Sequence, residues 1–215
     1  MYEIVILGAG GTGREICEMC EEVFDKKNYR VKGFLSDVPG MLDNYEIDFS
    51  VIDTIKDYQI QENDRFILAI GDLQGRRKVA ENILSRGGKF VNFIHPSAKV
   101  FRSAKLGQGI IIFPFAYVGA NSELGDFCFI NSYAGCGHDV KLGAFSEQAP
   151  YSALAGGVQT GEECFFAVHS VVSPKVILGN RVVISQGSVT QKNQPDDVVV
   201  VGVPGKRLRK IGKMF

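Results

Sequence analysis

The sequence predicts an α/β domain over residues 1–94, followed over 95–215 by a parallel β-helix with a C-terminal tail. Three observations carry this. Apolar runs of strand length alternate with helix-like spacing up to about residue 94. From residue 100 onward no helical period survives, and a six-residue period replaces it. Between the first strand and the first helix stands GAGGTG, a glycine turn of the kind that lets backbone N–H groups approach an anion.

In the first domain, YEIVIL (2–7) is an apolar run that stops at glycines and reads as a strand. Residues 13–24 place Ile16, Met19, Cys20 and Val23 at helical spacing. RVKGFL (30–35), FSVI (49–52), RFILAI (65–70) and KFVNFI (89–94) read as further strands, with RRKVAENILSR (76–86) a helix between the last two. Strands separated by helices imply a parallel sheet with helices on its faces. GAGGTG fits G-x-G-x-x-G through Gly8, Gly10 and Gly13, which makes the domain Rossmann-like. The motif alone does not separate NAD(H) from another nucleotide. A domain of about 95 residues, however, leaves no room for a dehydrogenase's catalytic half.

The repeat is read by stepping six residues at a time from Val100. It meets Leu106, Ile112, Val118, Leu124, Ile130, Cys136, Leu142, Gln148, Leu154, Thr160, Phe166, Val172, Leu178 and Ile184. Only Gln148 and Thr160 are not apolar. Four residues after each stands a small or β-branched residue, from Ala104 through Ser188. With charged residues at 22% of the chain, about six or seven of these thirty positions would be charged by chance, and none is. A hexapeptide period is the signature of a parallel β-helix. Three hexads make one triangular coil, and successive coils lie roughly 4.8 Å apart, the ordinary strand spacing. The aliphatic position fills the prism and the small position fits its corner. Gly107, Gly119, Gly125, Gly143, Gly161 and Gly179 follow the aliphatic position, where the turn is expected to need a permissive backbone.

The composition narrows the function. Lys+Arg and Asp+Glu balance at 24 each, which gives no electrostatic reason to expect nucleic acid or an anionic membrane. No apolar run approaches the roughly 20 residues of a membrane span. MYEIVILGAGG reads as a first strand rather than a signal peptide. The five cysteines fit reduced thiols of a cytoplasmic protein. Cys128, Cys136 and Cys164 fall on inward repeat positions, as core packing requires. Cys17 and Cys20 form one CxxC on the first helix, which suits helix packing better than a metal.

Three histidines remain as chemistry. His138 and Asp139 come two and three residues after the inward Cys136, so both face outward. They are either a solvated pair or a general base beside the acid that orients it. His95, in FIHPSAKV, reads as a junction residue, and His169 as a solvated side chain. Zinc chemistry of the carbonic anhydrase type needs three histidines, two of them five residues apart. Here the spacings are 43 and 31 residues.

Taken together these segments resemble the bacterial sugar acyltransferases, a family that joins a small nucleotide-binding domain to a left-handed hexapeptide-repeat β-helix. Sialic acid O-acetyltransferases and UDP-4-amino-sugar N-acetyltransferases belong to it. The resemblance rests on GAGGTGREI, FLSDVPG, LAIGD, FIHPSA, GHDVKLG and VVGVPGKRL, which span nearly the whole chain. It implies a homotrimer that binds acetyl-CoA as co-substrate between neighbouring prisms and uses no metal. His138 is then the general base and Asp139 the acid that raises its basicity. The nucleotide sugar is implied to lie on Gly10, Gly11 and Thr12, with Ser36 and Asp37 after the second strand and Gly71 after the fourth. Acetyl-CoA is implied to meet Glu147, Gly156, Ala167, Val168, Ser185, Gln186 and Lys206. Family members often carry histidine where this chain has Thr12 and two acids where it has Ser36–Asp37, and some carry a donor-contacting histidine where it has Glu147. The expected activity is N-acetylation of a nucleotide-linked amino sugar in surface-glycan biosynthesis. O-acetylation of a sialic acid or another glycan sugar stays open, as does a non-catalytic nucleotide-sugar-binding protein.

Overall fold

The computed structural model describes residues 1–208. The chain forms two compact units, one of Met1–Phe93 and a second that begins at Ile94.

The first unit runs β1 (Tyr2–Leu7), α1 (Gly11–Val23), β2 (Tyr29–Leu35), β3 (Val51–Asp53), β4 (Asp64–Leu68) and α2 (Leu73–Ser85). Its strands are all parallel, in the order β3-β2-β1-β4. Ile4 to Leu7 of the central β1 are almost wholly buried. That is why β1 is a continuous apolar run rather than an alternating one. α1 turns Ile16, Cys17 and Cys20 inward. Both helices begin earlier than their apolar spacing suggests, because a first turn is set by its cap and not by its apolar face. Asp72 caps α2, its carboxylate accepting from the N–H of Gly75 at 2.9 Å.

The expected strand over 89–94 does not form as one piece. Phe90 makes a single parallel bridge with Phe66, with hydrogen bonds to Lys89 and Val91 on either side. Phe93 and Ile94 then form the first strand of a different sheet. Both pieces are apolar, so the pattern alone joined them across Asn92.

The second unit is a left-handed parallel β-helix. Two-residue strands recur every six residues from Lys99–Val100 to Val189–Thr190, and the second residue of each is the inward aliphatic position. They stack into sheets of eight, six and five strands. Pairing is parallel at eighteen-residue offsets, as in Phe129 with Glu147 and Ile130 with Gln148. The last step is two residues shorter, with Val183 paired to Val199, and an antiparallel hairpin of Val199–Val201 with Lys206–Leu208 ends the eight-stranded sheet.

Of the polar inward positions, Gln148 and Thr160 are satisfied in place, whereas Thr190 Oγ1 is buried without a hydrogen-bond partner among the described residues. The Cys136 thiol donates to Gln148 Oε1 at 2.8 Å, and Gln148 Nε2 donates to the Gly135 carbonyl at 3.1 Å. Thr160 Oγ1 accepts from Gly143 N–H at 3.0 Å and donates to the Gly161 carbonyl at 2.9 Å. Buried polar groups cost little when paired in this way.

The glycine expectation needs correcting. Left-handed backbone occurs two residues further on, at Phe115, Asn121, Phe127, Tyr133, Asp139 and their non-glycine equivalents with φ of 54–61°, and at Gly109, Gly157 and Gly187 with φ of 63–73°. Gly107, Gly119, Gly125, Gly143, Gly161 and Gly179 do not have it. What they need is space. A Cβ at Gly143 would stand 2.1 Å from the Gly161 carbonyl oxygen, and one at Gly119 would stand 2.6 Å from the Gly137 backbone. The next coil passes directly over them.

Candidate active site

His138 and Asp139 stand on the corner that follows the strand Gly135–Cys136 of the six-stranded sheet. Their backbone is held from both sides. Asp139 N–H donates to the Ala120 carbonyl of the coil below at 2.9 Å, and the His138 carbonyl accepts from Gly157 N–H of the coil above at 2.9 Å. Asp139 holds a left-handed φ of 58°. The two side chains nevertheless reach solvent, at 73% and 56% exposure.

His138 Nδ1 and Asp139 Oδ2 lie 2.7 Å apart. A carboxylate only accepts, so Nδ1 carries the hydrogen and the Nε2 lone pair is left free. The other Asp139 oxygen accepts from Asn121 Nδ2 at 3.4 Å. The His138 contact first, and Asn121 second, hold the Asp139 carboxyl below its ordinary value of 3.8. A Cβ placed on Gly156 would lie 2.5 Å from His138 Nε2 and 2.6 Å from Cε1. The imidazole thus lies across a bare Cα on the coil above. Among the described residues nothing accepts from the Gly156 N–H. A free imidazole nitrogen beside an unengaged amide can take a proton from a nucleophile while the amide meets a developing oxyanion.

The other residues expected at acetyl-CoA are not gathered here. Glu147 lies in the eight-stranded sheet, Ala167 and Val168 follow its strand Phe165–Phe166, and Ser185 and Gln186 follow Val183–Ile184. Lys206 opens the last strand of that same sheet and is exposed. One prism therefore unites His138, Asp139 and Gly156 on one edge and leaves these six on another side.

In the first unit the expected nucleotide residues converge. Gly8 to Thr12 follow β1, Ser36 and Asp37 follow β2, and Gly71 follows β4. These are the carboxyl ends of three neighbouring strands, where open α/β sheets bind ligands. Gly8 is left-handed at φ 101°, and a Cβ on Gly13 would stand 2.1 Å from the Gly8 carbonyl oxygen. Gly10 caps α1 without a side chain. Two of the polar side chains have structural duties. Ser36 Oγ bonds both backbone groups of Val38, and Asp37 Oδ1 accepts from Ile55 N–H at 2.8 Å.

Three residues here had gone unnoticed. The Arg14 guanidinium lies 3.5 Å over the Tyr45 ring and donates to the Ala9 carbonyl at 3.3 Å. A Cβ on Gly10 would come within 3.8 Å of Met41 Cε. The 36–49 segment thus folds back on the glycine turn, through contacts that no sequence period announces.

The remaining candidates are structural. Burial pushes the Cys17 thiol up to about 11, Cys20 to about 12 and Cys164 to about 11, so all three stay protonated at neutral pH. His95 is buried, with Nδ1 2.8 Å from Ser97 Oγ. His169 is exposed as expected, but its ring is stacked on Tyr151 rather than free. Among the described residues no three His, Cys, Asp or Glu side chains gather as metal ligands, and no helix is long and apolar enough to cross a membrane.

A histidine–carboxylate pair on a hexapeptide-repeat prism, in a chain that begins with an α/β unit carrying a glycine-rich turn, fits an acyl-transfer enzyme. Residues 3–83 match the family model described as the PglD N-terminal domain. PerB from Caulobacter crescentus, whose structure contains CoA and GDP-perosamine, is 32% identical. The match covers 97% of this chain and 98% of that one, with a TM-score of 0.87. The acetyltransferase domain of PglB from Neisseria gonorrhoeae, solved with acetyl coenzyme A, is 30% identical over 96% and 98% of the two chains, with a TM-score of 0.88. WeeI from Acinetobacter baumannii, at 20% identity over 97% and 100% of the chains and a TM-score of 0.84, has the same fold. The chain belongs to this hexapeptide-repeat family of sugar N-acetyltransferases, and it is an acetyl-CoA-dependent acyltransferase.

Proposed function

We propose that the protein moves an acetyl group from acetyl-CoA to the amine of a nucleotide-linked amino sugar, within cytoplasmic steps of bacterial surface-glycan synthesis. The observation that carries this is the His138–Asp139 pair at 2.7 Å, with Nε2 lying over Gly156.

The amine nitrogen attacks the thioester carbonyl carbon directly while His138 Nε2 takes the proton that the nitrogen sheds. Negative charge collects on the carbonyl oxygen, which the Gly156 N–H is placed to receive. The C–S bond then breaks, and the imidazolium returns its proton to the departing thiolate. The products are an N-acetyl sugar and CoA, and no acyl-enzyme forms. Asp139 fixes the tautomer and stabilises the imidazolium between the two transfers. Residues at the carboxyl ends of β1, β2 and β4 hold the nucleotide.

The reading also supplies a reason for a homotrimer. Apart from Gly156, the donor contacts and the base lie on different sides of one prism, so a single chain does not bring them together. A three-fold axis along the prism sets one copy's donor side against the next copy's His138 edge.

The test is thiol release from acetyl-CoA across a panel of UDP- and GDP-linked amino sugars, free sialic acids and simple amines. Turnover with one nucleotide amino sugar is expected, and His138→Ala should lower it roughly 10²-fold or more. A His138→Ala variant as fast as the parent would overturn the mechanism. Turnover confined to sialic acids would move the acceptor from nitrogen to oxygen.

A further inference from the structure

One edge of the prism carries a column of aromatic rings that the reaction above does not use. Phe115, Tyr133, Tyr151 and His169 occupy the left-handed corner position on four successive coils, on the corner after the eight-stranded sheet. Successive rings stack at 5.1, 4.9 and 5.0 Å between centroids, with interplanar angles of 18°, 1° and 12°. Phe115, Tyr133 and Tyr151 are 57%, 51% and 50% exposed.

Neither of the other corners matches it. The His138 corner carries Asn121, Asp139, Gly157 and Lys175, with no ring. The third carries Phe127 and Phe145, but both are buried. A continuous stripe of exposed aromatic surface marks a contact surface. Stacking already covers the ring faces, so the edges and the phenol oxygens are what the stripe can offer. Neither phenol is hydrogen-bonded among the described residues.

We propose that the stripe seats against the His138 edge of a second copy of this chain, and that the partner's Tyr133 and Tyr151 flank the imidazole. The inference rests on the acetyltransfer reading and deepens it. Three observations select this occupant. His138 is 73% exposed, so its edge has a vacant flank. The expected donor contacts Glu147, Ala167, Val168, Ser185 and Gln186 immediately adjoin the stripe, so whatever meets the donor also meets the rings. The levels also agree. Rotation about an axis along the prism shifts no coil up or down, and Tyr133 lies in the coil of His138 while Tyr151 lies in that of Gly156. The two edges are chemically complementary as well. Asn121 and Asp139 can exchange hydrogen bonds with phenols, Lys175 offers a cation to the rings, and Gly157 leaves room. Tyr133 and Tyr151 become positioning residues that hold the acceptor sugar against His138.

Two measurements test this. In sedimentation the intact chain should run as a trimer, and Tyr133→Ala/Tyr151→Ala should dissociate at concentrations at least tenfold higher. Equal assembly of the two would overturn the seam, whatever the chain's activity. The second measurement is complementation between copies. His138→Ala and Tyr133→Ala/Tyr151→Ala chains, each nearly inactive alone, are co-expressed with different tags, and trimers carrying both tags are isolated. Each mixed trimer holds one site with histidine from one variant and tyrosines from the other, so about a third of the intact turnover should return. Mixed trimers that stay inactive, or a tyrosine variant as active as the parent, would overturn the proposal. If the alanine pair does not assemble, Tyr133→Phe/Tyr151→Phe keeps the stacks and removes the hydroxyls. KM for the acceptor should then rise roughly tenfold with kcat little changed, and an unchanged KM would overturn the role. An intact trimer silent with every acceptor would sink the function reading while leaving the sedimentation result to decide the seam.

Discussion

His138 is unusual among exposed side chains in being positioned from three directions. Its carbonyl is tied to Gly157, its Nδ1 to Asp139, and its ring lies over the unsubstituted Gly156. The acid gives this arrangement a readable electrostatic signature. Asp139 sits below its ordinary carboxyl value because the ionised form is favoured by His138 and Asn121. A depressed folded value means the contact stabilises the fold above the ordinary value, and that contribution is lost as pH falls through the depressed one. Titrating Asp139 by carbon NMR should give a midpoint under 3.8 in the parent and a higher one in His138→Ala. No upward movement would mean the two side chains do not interact in solution. Asp139→Asn tests the same link from the other end. Without a carboxylate to accept from Nδ1, the imidazole is no longer held in one tautomer and orientation, so turnover should fall at least tenfold while the fold is unchanged. An unchanged turnover would remove Asp139 from the mechanism.

Among elements, the coil shows what a period reveals and what it hides. The inward positions were legible from Val100 to Ile184 because each hexad repeats one local environment. The glycines were legible as positions but not as causes. Sequence marks a small residue without saying whether φ or a passing backbone demands it. Gly143 and Gly156 separate the two kinds of crowding. Alanine at Gly143 would drive a Cβ to 2.1 Å from a backbone oxygen of the next coil, which cannot yield cheaply. Gly143→Ala should therefore cost roughly 1–3 kcal/mol or more in denaturant unfolding. The three atoms nearest to an alanine Cβ at Gly156 all belong to the His138 ring, the closest at 2.5 Å, and an exposed side chain swings away. Gly156→Ala should shift stability by less than about 0.5 kcal/mol, yet lower turnover at least tenfold because the imidazole is displaced. If Gly156→Ala unfolded the chain and Gly143→Ala did not, the assignment of crowding would be reversed.

For the whole molecule, the sequence separates a strand–helix unit from a hexad unit, and the expected site residues follow that division unevenly. Gly8, Gly10 and Gly13 were legible because a glycine turn between strand and helix is a local motif. The contacts Arg14–Tyr45 and Asp37–Ile55 were not, because they join loops that carry no period. The distance between His138 and the expected donor residues was equally hidden. The hexad shows which way a residue faces, but which edge it occupies emerges only once the eighteen-residue coil is traced. If nucleotide and donor are held by separate units, their binding can be lost separately. Gly13→Ala forces a Cβ to 2.1 Å from the Gly8 carbonyl oxygen and must spoil the glycine turn, and its nearest neighbours, Gly8 and Ile6, both belong to the first unit. A ligand at a hundred times its Kd stabilises the state that binds it by about 2.7 kcal/mol. The parent should therefore show a rise in Tm with a nucleoside diphosphate and another with CoA. Gly13→Ala should lose the first and keep the second. Loss of both would mean that the glycine turn supports the donor site as well, and loss of neither would take the nucleotide away from the carboxyl ends of β1, β2 and β4.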